Sequence, residues 1–260
     1  MKYAAELWPV LSDYEKDPDY TLSKLKNIGY DGIEMFGISK FTPSELKALI
    51  AKSKLVLSGY QLPWTQFQGN QLKQTILYQK ELGNKHIIID ALGGPWESGH
   101  KISENTISMW QAHAARINQI NDELKENNMD LTYHTHDYDY GELIEGTVPS
   151  LEILLKNISP SVNIEIDTGN CIEGGKSPSK YIKSLKGRVP FVHCKPYAKS
   201  LQYEVRLGSD KDENNWSEIF NSAQNSGTKW LVVEPESLTL GNIFDVLDDS
   251  LKQLKTFTKD

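Results

Sequence analysis

The chain has 260 residues, of which 38% are hydrophobic, 24% charged and 10% aromatic, and this composition excludes a disordered or low-complexity protein because ample apolar material offsets the ordering entropy. The 35 acidic residues outnumber the 28 basic ones, and the net charge of −7 argues against a nucleic-acid partner. No apolar run approaches the ~18 residues of a membrane span and no signal-peptide core is visible, so we expect a cytoplasmic protein without a membrane partner.

Short β-rich runs alternate with longer amphipathic runs along the chain. The pattern predicts eight strands, at Tyr3 to Trp8 and at residues 32–37, 55–62, 86–92, 131–136, 162–167, 190–195 and 230–236. It predicts helices near residues 20–28, 43–53, 68–83, 103–128, 148–158, 178–186, 216–226 and 241–257. Thr42 followed by Pro43 and Glu45, and Ser103 followed by Glu104, are typical helix starts.

Eight strand–helix units use the whole chain, which predicts one α/β domain over residues 1–260, a single (β/α)8 TIM barrel. The competing doubly wound sheet normally has a glycine-rich turn after its first strand, whereas the residues after Trp8 read PVLSDYEKD. Long loops at 93–102, 137–147 and 196–215 all follow predicted strands. Loops in that position lie at the active-site end of a barrel.

Ionisable side chains share one face of each of the last four predicted strands, since residues two apart point the same way. Because helices cover the outside of such a barrel, we expect these polar faces to point inward. At matching depth, one residue from each strand is a candidate metal ligand: His134, Asp167, His193 and Glu234.

A bound cation explains this pattern, because buried carboxylates and imidazoles without counter-charge would each cost several kcal/mol. The mixed nitrogen and oxygen donors suit Mn²⁺, Co²⁺, Zn²⁺ or Mg²⁺, and we predict one divalent metal ion per chain. Taken singly, a strand histidine is more often a core residue, and an aspartate at a strand end more often caps the next helix. The joint pattern carries the prediction.

A resemblance to a known protein family rests on six segments of the chain: GYDGIEMFG, YHTHDYDY, EIDTGNCIEGG, HCKPY, NNWSEIF and TKWLVVEPE. With them the chain resembles the xylose isomerase-like barrel family of sugar phosphate isomerases and epimerases over nearly its whole length. The resemblance implies a (β/α)8 barrel with one divalent metal at the carboxyl ends of the strands, where sugar oxygens complete the coordination. It places Asp167, His193 and Glu234 at the family's ligand positions.

Two positions depart from that family. Many members carry a glutamate on the fifth strand, both as ligand and as one of two acid/base groups on opposite faces of the sugar, whereas this chain has His134. A subset with the YHxHD pattern resembles this chain, so metal binding is expected to survive the change better than the two-glutamate mechanism. Pro196 stands where members often have aspartate, and Glu145 is an alternative fourth ligand.

The chemistry expected of such a site is proton transfer next to a carbonyl. A divalent ion that chelates the carbonyl and adjacent hydroxyl of a keto sugar stabilises an enediolate, which leads to an epimer, an isomer or loss of a β-hydroxyl. Glu234 is the predicted base and Glu236 a weaker candidate. His136 or His134 is the predicted proton donor, since imidazole titrates near neutral pH.

Lys195 is predicted to face inward beside His193. There it either stabilises an oxyanion or binds a substrate carboxylate or phosphate, or else forms a salt bridge with Glu165 or Glu236.

Three more side chains are candidates for substrate binding. Trp8 and Trp64 end the first and third strands, where they either stack on sugar C–H surfaces or pack in the core. Arg206 is predicted either to close over a substrate or to lie in solvent. Glu6 and Glu34 are expected deeper inside the barrel.

The sequence therefore predicts an enzyme that isomerises or epimerises a small sugar or sugar phosphate. The alternative is a lyase of the inosose-dehydratase kind, and an endonuclease for abasic DNA is disfavoured by the net charge of −7. A non-catalytic sugar-binding protein is the non-enzyme alternative. The expected partner is a small carbohydrate, and homo-oligomerisation stays open.

Overall fold

Eight strands close into a parallel barrel in the order β1-β10-β9-β8-β5-β4-β3-β2, which confirms the predicted TIM barrel. The computed structural model describes residues 1–92 and 104–258. The strands are β1 (Lys2–Glu6), β2 (Gly32–Phe36), β3 (Val56–Leu62), β4 (His86–Ile89), β5 (Asp130–His134), β6 (Leu143–Ile144), β7 (Val148–Pro149), β8 (Asn163–Asp167), β9 (Phe191–Cys194) and β10 (Trp230–Val233). Strands β6 and β7 form a separate antiparallel hairpin.

Helices follow the barrel strands in chain order. They are α1 (Leu11–Lys16), α2 (Pro18–Ile28), α3 (Pro43–Ser53), α4 (Gly69–Leu82), α5 (Ile107–Glu126), α6 (Asp137–Gly141), α7 (Ser150–Asn157), α8 (Thr168–Glu173), α9 (Pro178–Ser184), α10 (Trp216–Ser226) and α11 (Ile243–Phe257). Thr42 and Glu45 form the predicted capping box of α3. The predicted loop at 93–102 and the predicted helix start at Ser103 lie outside the described residues, and α5 is capped by Thr106.

Several predicted boundaries differ from the structure by a few residues, and two of the differences have a clear local reason. Strand β1 ends at Glu6, because Trp8 and Pro9 begin a short 3₁₀ helix, Trp8–Val10. The segment 137–147, expected as irregular loop, contains α6 and one strand of the hairpin. Helix α6 forms there because the Asp139 carboxylate accepts a hydrogen bond from the His136 backbone N–H at 2.9 Å.

The inward faces of the strands are apolar at the amino-terminal end of the barrel. Four side chains, here called the apolar plug, pack together there and are at most 8% exposed: Ala4, Phe191, Trp230 and Val232. The outward faces contribute to the main core beneath the helices, as Ile87 and Val192 illustrate. The plug fills one end of the barrel, and we therefore expect a ligand site at the carboxyl-terminal end, here called the mouth.

Among the described residues, none of the helices combines the length and the apolar character that crossing a membrane would require.

Candidate active site

A cavity of about 540 Å³ opens at the mouth of the barrel. Described residues from most of the barrel strands and the loops after them line it: Glu6, Trp8, Phe36, Gln61, Asp90, His134, His136, Asp137, Asn170, Glu173, Lys195, Tyr203, Glu234 and Glu236. The lining combines an aromatic edge with many carboxylates. Both features are present in sites that bind small polar ligands.

The four side chains that the sequence singled out meet at the bottom of this cavity. His134, Asp167, His193 and Glu234, here called the four-residue cluster, each offer a ligand atom within 4.8 Å of all the others. None is more than 5% exposed. The strand alternation explains the convergence, because each residue lies on the inward face at or next to the carboxyl end of its strand.

Asp167 has a separate partner for each carboxylate oxygen. Oδ1 caps α8 by accepting a hydrogen bond from the Asn170 backbone N–H at 2.9 Å. Asp167 therefore also has the helix-capping role that is common for an aspartate at the end of a strand. Oδ2 is buried and accepts no well-aligned hydrogen bond within the described chain, although the Lys195 ammonium lies 3.2 Å away. A buried carboxylate oxygen without a donor, beside two imidazoles and a second carboxylate, fits a divalent cation.

Deeper carboxylates orient the two imidazoles of the cluster. His134 Nδ1 lies 2.9 Å from Glu165, and His193 Nε2 lies 2.8 Å from Glu34. The Gln61 amide donates to Glu34 at 2.9 Å. Such contacts fix ring orientation and tautomer in metal sites, and they leave His134 Nε2 and His193 Nδ1 directed towards the cluster.

Lys195 is buried at the centre of the site. Its ammonium lies 2.7 Å from Glu234, 3.0 Å from Glu236 and 3.2 Å from Asp167. Gly169 makes this position possible, because a Cβ at residue 169 would lie 2.9 Å from the lysine Cγ. The sequence offered Glu165 or Glu236 as a salt-bridge partner, and the structure shows the salt bridge to Glu236. The lysine also contacts Asp167 and Glu234 of the four-residue cluster.

The buried charges shift one another's protonation. Burial alone would raise the pKa of Glu234, but Lys195 and His193 outweigh it and hold the pKa below its usual range. Burial raises the pKa of Asp167 to about 7 despite the nearby lysine. The charges around Glu234 therefore favour its ionised form, whereas burial favours the protonated form of Asp167.

The two histidines expected as proton donors are neutral in this environment. Burial lowers the pKa of His136 to about 3, and it lowers the pKa of His134 well below the usual value. An imidazole that is already neutral at pH 7 is a poor proton donor. Desolvation thus shifts both imidazoles towards the neutral form, whereas the sequence-based expectation used the ordinary imidazole pKa.

The predicted substrate-binding side chains separate into two groups. Trp8 is 41% exposed at the cavity edge, 5.5 Å from the Phe36 ring. Trp64 instead stacks on Phe67 at 6.1 Å, which matches the core-packing alternative. Arg206 is not among the described residues that line the cavity, and it pairs at 2.9 Å with Asp249 on helix α11.

Glu145, the alternative fourth ligand, lies outside the four-residue cluster. It is exposed in the turn between β6 and β7, with a positive φ of 51°. His134 occupies the place in the cluster that Glu145 was considered for.

Several cavity residues were missed by the sequence reasoning. Asp90 follows β4 and shares the inward face of Ile88, so the alternation applied to the last four strands would have found it. Tyr203 and Glu173 gave no such signal. The loop before α10 places the Tyr203 hydroxyl beside α8. There the hydroxyl donates a hydrogen bond to the Asn170 side chain at 2.7 Å and also contacts the Glu173 carboxylate.

The fold agrees with comparisons to known proteins. The sequence pattern of the xylose isomerase-like TIM barrel family matches residues 22–257. The chain belongs to this family. The matched range contains the complete four-residue cluster. Among curated proteins, no sequence matches this chain significantly.

Solved structures share the fold at low sequence identity. A sugar phosphate isomerase/epimerase from Parabacteroides distasonis has a TM-score of 0.83 and 19% identity, with 100% of each chain covered. An L-ribulose 3-epimerase has a TM-score of 0.73 and 16% identity over 98% of this chain and 95% of that one. A probable 3-DHS dehydratase from Bacillus anthracis has a TM-score of 0.71 and 16% identity over 98% and 99%. At these identities the likeness establishes the fold alone.

Proposed function

We propose that this protein is a divalent-metal-dependent sugar isomerase or epimerase that works through an enediolate. The observation that carries the proposal is the buried four-residue cluster at the bottom of a 540 Å³ cavity. A cavity of that size is within the range of small-molecule sites. Support also comes from neighbours in fold space that are named as epimerases.

The four-residue cluster would hold the metal ion. When bound, a divalent ion supplies Lewis acidity that polarises a substrate carbonyl oxygen. Lys195 adds a second positive charge at the cavity wall, where its ammonium can stabilise negative charge that develops on a substrate oxygen. At the edge of the cavity, Trp8 and Phe36 offer flat apolar faces to sugar C–H groups.

Two carboxylates compete for the role of base. Glu234 is ionised and can accept a proton from the carbon next to the carbonyl, although its contacts with His193 and Lys195 weaken it as a base. Glu236 is more accessible, with 36% of its side chain exposed, and contacts Lys195 at 3.0 Å. Glu234 is itself part of the four-residue cluster, whereas Glu236 is not, so we assign Glu234 as the base.

The test combines metal analysis with proton NMR in heavy water. Purified protein is expected to carry one divalent ion per chain, and to exchange a C–H proton of at least one sugar among D-fructose, D-tagatose, L-ribulose and inosose. The variant Asp167→Asn keeps the cap of α8 but removes one charge, so its metal content should fall. Asp130→Asn, at the far end of β5 with a side chain 57% exposed, is the matched control and should keep the metal.

Each outcome points to a different conclusion. Exchange with formation of an epimer or isomer supports the proposal. Bound metal without exchange of any sugar would contradict it and favour a sugar-binding protein. If the wild-type protein binds no divalent metal ion, the proposed function is wrong.

A dehydratase is the second candidate, and one observation favours it. The fifth barrel strand presents His134 and His136, both neutral through burial, where epimerisation would call for a proton donor. An enediolate that finds no donor can instead expel a β-hydroxyl. Appearance of an enone in the same NMR experiment would identify this reaction.

A further inference from the structure

A carboxylate outside the four-residue cluster faces it across the mouth. Asp90 immediately follows β4, and its side chain lines the cavity. Residues two apart on β4 share a face. At the far end of this face, the His86 ring packs 5.7 Å from Phe191 of the apolar plug. The inward face of β4 thus runs from the plug to Asp90 at the mouth.

The barrel order places Asp90 opposite Glu234. In the closed order β1-β10-β9-β8-β5-β4-β3-β2, three strands separate β4 from β10 on either side. Glu234 immediately follows β10, just as Asp90 follows β4. Both side chains line the same cavity. A ligand bound between them would therefore have a carboxylate on each of two opposite faces.

The surroundings of Asp90 suit a group that exchanges protons. Burial is the main effect, and it raises the pKa of Asp90 to about 6. The charged groups that act on it are Glu234 and Glu34, which raise the pKa further, and Lys195 and His193, which lower it. A carboxyl group with this pKa can be protonated and deprotonated near neutral pH.

We propose that Asp90 is a catalytic acid/base residue that acts on the substrate face opposite to Glu234. This inference rests on the proposed isomerase or epimerase function and assigns a second acid/base group for it on the far side of the cavity. Removal of a proton from one face and its return to the other inverts a carbon centre. Two groups on opposite sides of the substrate are the simplest arrangement that achieves this.

The proton transfers balance in two steps. The Glu234 carboxylate takes the proton from the carbon next to the carbonyl, the C–H electron pair becomes the C=C bond of the enediolate, and the carbonyl π pair moves to oxygen. The Asp90 carboxylic acid then gives its proton to the other face of that carbon, where the C=C pair forms the new C–H bond and the carbonyl is restored. Exchange with water at the mouth returns the proton to Asp90 and removes it from Glu234.

The experiment uses full-length, metal-loaded protein in heavy water with the sugars named above. Asp90→Asn should form product at least about 100-fold more slowly, the lower range for acid–base catalysis. It should still exchange the substrate C–H proton with solvent, because Glu234 is intact. Added formate should restore product formation by Asp90→Ala at least about tenfold, since it supplies the missing carboxyl group. Asp130→Asn is the control and should behave like wild type.

The outcomes separate this inference from the proposed function. If the wild type neither exchanges nor converts any of the sugars, the proposed function fails and the role of Asp90 fails with it. If the wild type is active while Asp90→Asn stays within about threefold of it, the role of Asp90 is wrong and the proposed function stands. Joint loss of exchange and product without rescue by formate would also overturn the role, because it indicates a structural defect.

Discussion

The two ends of this barrel use the same strands for opposite purposes. The inward face of β10 carries Trp230 and Val232, and Glu234 follows them at the mouth. The inward face of β9 carries Phe191, followed by His193. One step of two residues, roughly 7 Å along a strand, separates the apolar plug from the four-residue cluster. The comparison teaches that stability and chemistry are divided along each strand rather than between separate parts of the chain.

The energetic consequences of the two ends also differ. Burial of the apolar plug stabilises the folded protein. At the mouth, burial raises the pKa of Glu165 to about 8 and that of Asp167 to about 7, which shows that the ionised forms are disfavoured there. Burial of ionisable groups at the mouth therefore lowers the stability of the folded protein, a common feature of active sites.

The largest expected effect tests the plug. Phe191→Ala removes a ring that is 1% exposed, and the cavity left behind should lower the free energy of unfolding by ~3–5 kcal/mol. Denaturant titration measures this change. Metal affinity should remain within about threefold of wild type, because the metal ligands lie at the other end of the strand. A parallel fall in metal affinity would show that the two ends are not independent.

The second prediction tests the mouth. Glu234→Gln keeps the shape of the side chain but removes its charge and basicity, so turnover of a sugar substrate should fall by at least ~100-fold. Steady-state kinetics measures the loss. Glu236→Gln should cost less, since the Glu236 side chain is 36% exposed and lies outside the four-residue cluster, although it contacts Lys195. Near-full activity of Glu234→Gln would reassign this residue to a structural role.

The third prediction concerns the lysine that shares the ligands of the cluster. The Lys195 ammonium lies within 3.2 Å of both Asp167 and Glu234, so it competes with a divalent ion for them and repels it. Lys195→Met should therefore bind Mn²⁺ at least about tenfold more tightly, which corresponds to ~1.4 kcal/mol. Isothermal titration calorimetry measures this affinity. Weaker binding by the variant would mean that the ammonium supports the metal site.

The smallest expected effect concerns a buried carboxyl group that supports the mouth. Asp139 accepts hydrogen bonds from Tyr133 and Ser150, and burial raises its pKa to about 7 from 3.8. A raised folded-state pKa stabilises the protein below pH ~4, and this contribution is lost as the pH rises through about 7. Asp139→Asn should therefore lower the free energy of unfolding less at pH ~8 than at pH ~5, which denaturant titration at the two pH values would measure.

The matched control for this pH effect is Asp210→Asn, because Asp130 lies 3.5 Å from the His86 imidazole, a group that can itself titrate in this pH range. The Asp210 side chain is exposed, so the difference from wild type should not vary over the same pH range. An equal pH dependence of the two variants would show that Asp139 does not keep a raised pKa in the folded protein.

The sequence alone was sufficient for the architecture and for the four-residue cluster. Alternation along a strand is a local property, so the inward positions of His134, Asp167, His193 and Glu234 followed from their spacing once eight strand–helix units had been recognised. The resemblance to the family pointed to three of the same residues. Local reasoning also identified the capping box at Thr42.

The tertiary structure decided what depends on distant parts of the chain. Only barrel closure sets β4 across from β10, and thereby Asp90 across from Glu234. Only packing directs Arg206 to Asp249 instead of into the cavity. Burial from all sides, which no single segment encodes, makes His136 neutral. The physical reason is the same in each case: strand alternation is fixed by neighbouring residues, whereas opposition, desolvation and ion pairing depend on residues far apart in sequence.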